Sequence, residues 1–223
     1  MFKGIWSNME EQDFNLINNA TKIEKFKNFF FNNIKKLIAV TILILILMFS
    51  YFLLLDMKQK KIKRISENYN NLTLNFTESN IEQTNEGLTK IIYKKDKAYS
   101  PLALYFMIDN SIEKDAATIN KHFDFIINEL GLDENLINLN IYKKALFNGD
   151  TADENFLLQI LDPLIKNDTI WRSHALYLLG EYFYAKNDKI KAKEFYQNII
   201  TDTKSNKEIK LEAQKRLQRD LSD

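Results

Sequence analysis

Nineteen consecutive residues, Leu37 to Leu55, carry no charge: LIAVTILILILMFSYFLLL. No other feature constrains the chain so strongly. As a helix the run spans about 28 Å, close to the hydrocarbon thickness of a bilayer. Thr41, Ser50 and Tyr51 are its only polar residues, and a Thr or Ser in such a helix can bond back to its own backbone. Core helices of soluble proteins typically carry shorter apolar runs. A cleaved signal peptide fits poorly. The run is preceded by 36 residues, and Asp56-Met57-Lys58 stands where a small-residue cleavage site would belong. The reading is an uncleaved membrane anchor.

The anchor explains an uneven composition. Hydrophobic residues make up 45% of the 223, yet the mean hydropathy is −0.33. Residues 1–36 carry a net +2, residues 57–64 carry +5, and residues 65–223 sum to −5. Five Lys stand in the 20 residues before the run, and five Lys or Arg in the 20 after it, so flanking charge does not set the orientation. The short tail ending in Lys35-Lys36 suits a cytoplasmic N-terminus. Ile23, Phe26, Phe30 and Ile34 recur at helical spacing among lysines, which predicts a helix that either lies in the interface or simply extends the anchor.

Several chemistries are excluded. With no Cys there is no disulfide framework, thiolate-bound zinc, iron–sulfur cluster or Cys nucleophile. The five Gly stand no closer than 18 residues apart, so no glycine-rich phosphate loop exists. A net charge of +1 gives no support for nucleic acid as a partner. The chain is rich in Lys, Asn and Ile, residues with A/T-rich codons, so surface runs of Lys and Asn carry little information. His122 and His174 have no ligating neighbour at helical spacing, so neither a metal nor a cofactor is expected. Glu181, Asp109 and Asp162 form no recognisable catalytic pair.

Beyond the anchor the apolar residues recur at helical spacing. The periodicity predicts a helix continuing from Met57 toward Phe76 and another over 78–93. A third starts at Ser100-Pro101, with Ser as N-cap and Pro at the first helical position. Helices follow from Asp115 to Gly131, from Asp133 to about Asn148, from Asp153 to about Ile165 with a kink or break at Pro163, and from Asn206 to the end. The domains read as 1–36, a short, partly amphipathic segment; 37–55, the transmembrane helix; 56–77, a helical stalk; and 78–223, a soluble array of helical hairpins.

One hairpin has a sharper pattern. Leu176, Leu179, Gly180, Phe183, Ala192 and Tyr196 fall at the spacing of the tetratricopeptide repeat, and Asn187-Asp188 supplies the turn. The small residues Gly180 and Ala192 allow two helices to cross closely, and Phe183 and Tyr196 fill the space beside the crossing. Lys204 replaces the pattern's Pro, and Ile199 its second small residue. The fold class is therefore all-α: one N-terminal transmembrane helix followed by a tetratricopeptide-like hairpin array. The earlier hairpins match the repeat poorly.

This layout resembles the ancillary Sec-translocon subunit family, membrane-anchored periplasmic proteins of bacteria with a tetratricopeptide-like domain. Tyr99-Ser-Pro-Leu-Ala-Leu opening a helix, Trp171-Arg172-Ser173-His174-Ala175, and the Leu-Leu-Gly helix with its partner carry the resemblance. It covers roughly residues 15–220 and is sharp over 164–202. It implies a single-pass inner-membrane protein with a cytoplasmic N-terminus and a periplasmic helical domain. It also implies association with the translocation channel, periplasmic chaperones and exported chains, without catalysis. The Lys-rich 58–64 segment departs from that orientation.

Trp171 reads either as a wedge between adjacent repeats or as an anchor for a partner. The aromatic residues of 177–196 are denser than one core stripe needs, and Tyr182 and Tyr184 are expected to face outward as partner contacts. Two further readings stay open: a scaffold for envelope assembly or cell division, and an enzyme with a site built from scattered Glu, Asp and Tyr. The sequence does not set the oligomeric state.

Overall fold

The computed structural model describes residues 3–221, with side chains from Glu24 onward except Phe26. Among the described residues there are helices and turns and no strand. Nine α-helices follow in order: α1 (Lys3–Leu74), α2 (Ile81–Ile92), α3 (Tyr99–Asp109), α4 (Ala116–Glu129), α5 (Glu134–Asn148), α6 (Glu154–Lys166), α7 (Arg172–Ala185), α8 (Lys189–Thr201) and α9 (Lys207–Asp220). The chain divides into two compact units, 1–61 and 62–223.

The first unit is helical. Within α1, Lys27–Leu74 is, among the described residues, the one helix long and apolar enough to cross a membrane. Its large apolar side chains from Ile38 to Leu54 stand exposed. A solvent-facing surface of that kind is unfavourable in water and suited to lipid. Thr41 Oγ1 donates to the Leu37 carbonyl at 2.9 Å, which satisfies the hydroxyl inside the helix. Of the apolar stripe before the anchor, Phe30 and Ile34 are exposed; Ile23 and Phe26 lie outside the described side chains.

The second unit is a helical array in which consecutive helices from α2 to α9 pack on one another. Helices two apart also touch, α5 with α7 and α7 with α9. Stacked hairpins produce this pattern, because each hairpin hides its apolar face on the next. Two apolar clusters result. One gathers Ile65, Leu88, Ile91, Ile92, Leu104, Met107, Phe123 and Ile126. The other gathers Leu157, Leu161, Leu164, Leu176, Leu179, Phe183, Tyr196 and Ile199. The unit begins earlier than periodicity suggested. Ile65 is buried, and Tyr69, Leu72 and Phe76 pack against the first cluster, so residues 62–76, read as stalk, form part of the core.

Aspartates start four of the helices. Asp115, Asp133, Asp153 and Asp188 each accept from a backbone N–H in the first turn of α4, α5, α6 and α8. Such caps satisfy donors that the helix itself leaves unpaired. Gly131 closes α4 with φ +57°, a left-handed conformation that favours glycine.

Two local expectations are corrected. Ser100 is not the N-cap of α3. The helix starts at Tyr99, and Asp96 Oδ1 accepts from the N–H groups of Ala98 and Tyr99. Ser100 is fully buried, and its hydroxyl donates to the Ile91 carbonyl. Pro163 does not break α6, which runs on to Lys166, close to the expected end near Ile165. Its exposed ring sits in the last turn, and the Asn167 amide donates to its carbonyl at 2.9 Å.

Candidate functional site

The sharp hairpin is built by α7 and α8. Gly180 faces the Tyr196 ring: a Cβ on Gly180 would stand 2.5 Å from Tyr196 Cε1. The glycine therefore lets the aromatic ring lie on the α7 backbone. Leu176, Leu179, Phe183, Ala192 and Tyr196 are all buried in the same cluster. Phe183 and Phe195 stack with ring centroids 5.4 Å apart and planes 6° apart.

A charged network fastens α9 to this hairpin. Glu181 accepts from the Tyr196 hydroxyl and from Arg216 Nε, each at 2.7 Å, and again from Arg216 Nη2. Arg216 Nη1 donates to Asp220 at 2.9 Å, and its guanidinium lies over the Tyr184 ring, 5.2 Å from the centroid. Burial, together with the bond to Glu181, pushes the Tyr196 phenol far above its ordinary range. Hydrogen bonds from Arg219 and Arg216 hold the Asp220 carboxyl well below the usual carboxylate range. A phenol kept protonated and a carboxylate kept ionised are suited to permanent donation and acceptance, so this network is a clasp. Sequence reasoning missed Arg216 and Asp220. Their only signal is the four-residue spacing on a predicted helix.

The residues expected to meet a partner fall in different places. Tyr182 does not face outward as expected: it is 8% exposed and its hydroxyl donates to the Ala152 carbonyl at 3.1 Å, although it still lines a cleft between α5 and α7. It turns inward because that carbonyl, in the loop before α6, gives a buried phenol an acceptor. Tyr184 is half-buried under Arg216. Trp171 is half-buried, stacked on Tyr142 at 5.6 Å and 30°, with His174 at 5.3 Å. It bridges α5 to the start of α7.

An open cleft of about 410 Å³ separates α5 from α7, lined among others by Leu146, Leu178, Ala185, Asp150 and Lys186. Leu146 is 47% exposed there, and the Lys186 ammonium stands 5.5 Å from the Tyr182 ring centroid. The cleft thus has an apolar floor with scattered charges.

Both histidines pack against aromatic rings, His122 on Tyr93 and His174 on Tyr142 and Trp171. His122 is 3% exposed between α2 and α4, with Tyr93 Oη 3.4 Å from Nδ1. Burial pushes its pKa down, opposed by Glu113. No group of three His, Asp or Glu capable of holding a metal occurs among the described residues.

No protein-family model matches the sequence, and no curated protein or solved structure matches it significantly.

Proposed function

We propose that this chain is a non-catalytic, membrane-anchored protein-interaction module. In this reading α1 spans the bacterial inner membrane once, with the N-terminus cytoplasmic and the array periplasmic. The array is tetratricopeptide-like, and its partners are the translocation channel, periplasmic chaperones and the exported chains that pass between them. The observation that carries the reading is the α7–α8 crossing. Gly180 and Tyr196, a small and an aromatic residue of the repeat pattern, meet there, and the pattern's Ala192 and Phe183 are buried in the same cluster as Tyr196. The cleft between α5 and α7 supports a peptide-binding role, because it presents Leu146 and Leu178 beside Asp150 and Lys186.

Two measurements test this. Protease treatment of sealed inner-membrane vesicles reads the side on which 57–223 lies; a cytoplasmic array ends the translocation reading. Crosslinking from the array in intact membranes recovers channel subunits, chaperones or exported chains. Recovery of division or envelope-assembly proteins alone replaces the proposal with the scaffold reading.

A further inference from the structure

A second cleft, of about 300 Å³, lies within residues 62–223, between the end of α1 and α2. Its floor is apolar: Ile65 and Ile91 are buried, and Leu72 is half-buried. Gly87 brings α2 so close that a Cβ there would stand 2.7 Å from both Leu72 methyls. The rim is different. Asn68, Asn71, Lys90 and Lys94 are all exposed around it.

The rim carries donors and positive charge. The Lys94 ammonium and the side-chain amides of Asn68 and Asn71 have no hydrogen-bond or ion-pair partner among the described residues. Lys90 reaches Glu86 at 3.7 Å, both three-quarters exposed, a contact too weak to hold it. No carboxylate lines the cleft. Two ammonium groups and two amides suit a phosphate. A free phosphate would leave the half-buried Leu72 and the edges of Ile65 and Ile91 that border the cleft facing water, whereas an acyl chain would cover them. The lining also begins ten residues after Leu55 in sequence, so an anchored chain meets lipid continually.

We infer that this cleft binds one anionic phospholipid, with the phosphate on Lys90 and Lys94 and the first part of an acyl chain on Ile65, Leu72 and Ile91. The inference rests on the membrane-anchored reading for the supply of its ligand, but binding is measured in detergent and does not depend on topology. The full chain in detergent micelles is mixed with equal amounts of phosphatidylglycerol and phosphatidylcholine, and retained lipid is read by native mass spectrometry. Phosphatidylglycerol should be retained about tenfold over phosphatidylcholine, falling toward parity in the K90Q/K94Q variant. Both substitutions are on exposed side chains, and a circular dichroism melt checks that the variant folds. Equal retention of the two lipids by the wild-type chain overturns the inference. So does undiminished preference in K90Q/K94Q, or a preference lost only in K58Q/K60Q/K61Q, which would place the lipid on α1 alone. Displacement of the lipid by inorganic phosphate at matched concentration also overturns it, because the site would then take a soluble anion.

Discussion

The aromatic ring of Tyr196 occupies the volume that a side chain at residue 180 would need. A Cβ on Gly180 would stand 2.5, 2.8 and 2.9 Å from three ring carbons. Tyr196 is fully buried and tied through its hydroxyl to Glu181, so the ring has no free direction in which to retreat. Gly180→Ala should therefore destabilise by about 1–3 kcal/mol through overpacking, despite a helix-propensity gain of about 1 kcal/mol. Gly149→Ala is the control, because its Cβ would meet nothing closer than 3.4 Å. It should be neutral or slightly stabilising. Gly131→Ala isolates conformation from space: nothing lies within 4 Å, but φ is +57°, and the cost should be about 1–2 kcal/mol. Urea midpoints for the three variants in the same background give the order; equal midpoints for G180A and G149A would contradict the crossing.

The Glu181–Arg216 clasp should show coupling. Both side chains are less than one-third exposed, and the guanidinium makes two bonds to the carboxylate. A double-mutant cycle with Glu181→Gln and Arg216→Gln should return a coupling energy of about 1 kcal/mol, shrinking in high salt. Tyr196→Phe removes the third bond to the carboxylate and should cost about 1–2 kcal/mol. Coupling indistinguishable from zero would mean that this ion pair does not help to hold α9.

Much of this site was legible, and the reasons for success and failure are physical. Gly180, Ala192, Phe183 and Tyr196 were readable because a close helix crossing restricts residue size at fixed spacing. The helix starts at Asp115, Asp133 and Asp153 were readable because the signals that begin a helix are local, although Ser100, read as a cap, was not one. Tyr182 was misread because its acceptor, the Ala152 carbonyl, is 30 residues away. The end of α1 was misread for a similar reason: Ile65, Tyr69 and Leu72 meet partners that lie beyond any local window. Asn140 and Asn148 were hidden by composition. In an Asn-rich chain they look like surface, yet both are buried. Asn140 accepts from the Tyr105 hydroxyl at 2.8 Å, and Asn148 exchanges two amide bonds with Asn120. Burial pushes the Tyr105 phenol up to about 12, so it remains a donor at every physiological pH.

His122 should make the array acid-sensitive. Its folded-state pKa lies below the ordinary value of about 6.5, chiefly because burial disfavours the charged ring, while Glu113 partly offsets the shift. The unfolded chain then binds the proton more readily. Stability is fully present above about pH 6.5 and is lost as pH falls through the folded-state value. Urea midpoints measured from pH 8 to pH 5 should fall more steeply for the wild-type chain than for His122→Phe. Parallel curves would assign any acid loss to other groups.

The corrected start of the array makes the last prediction. A fragment comprising residues 62–223 keeps Ile65, Tyr69, Leu72 and Phe76, all in the first apolar cluster. It also keeps the 2.7 Å bond from the Tyr99 hydroxyl to Ser66 Oγ. A fragment starting at residue 78 loses these contacts and uncovers Leu88 and Ile91, which are 0% and 4% exposed in the intact unit. Burying one large aliphatic side chain contributes about 1.5–3 kcal/mol, so losing three or four partly buried ones should remove about 3–6 kcal/mol. That is a large share of the stability of a unit this size. The longer fragment should melt cooperatively by circular dichroism, and the shorter one should melt far lower or remain partly unfolded with exposed apolar surface. Similar melting temperatures for the two would show that residues 62–77 are a stalk after all, resting on the array without holding it together.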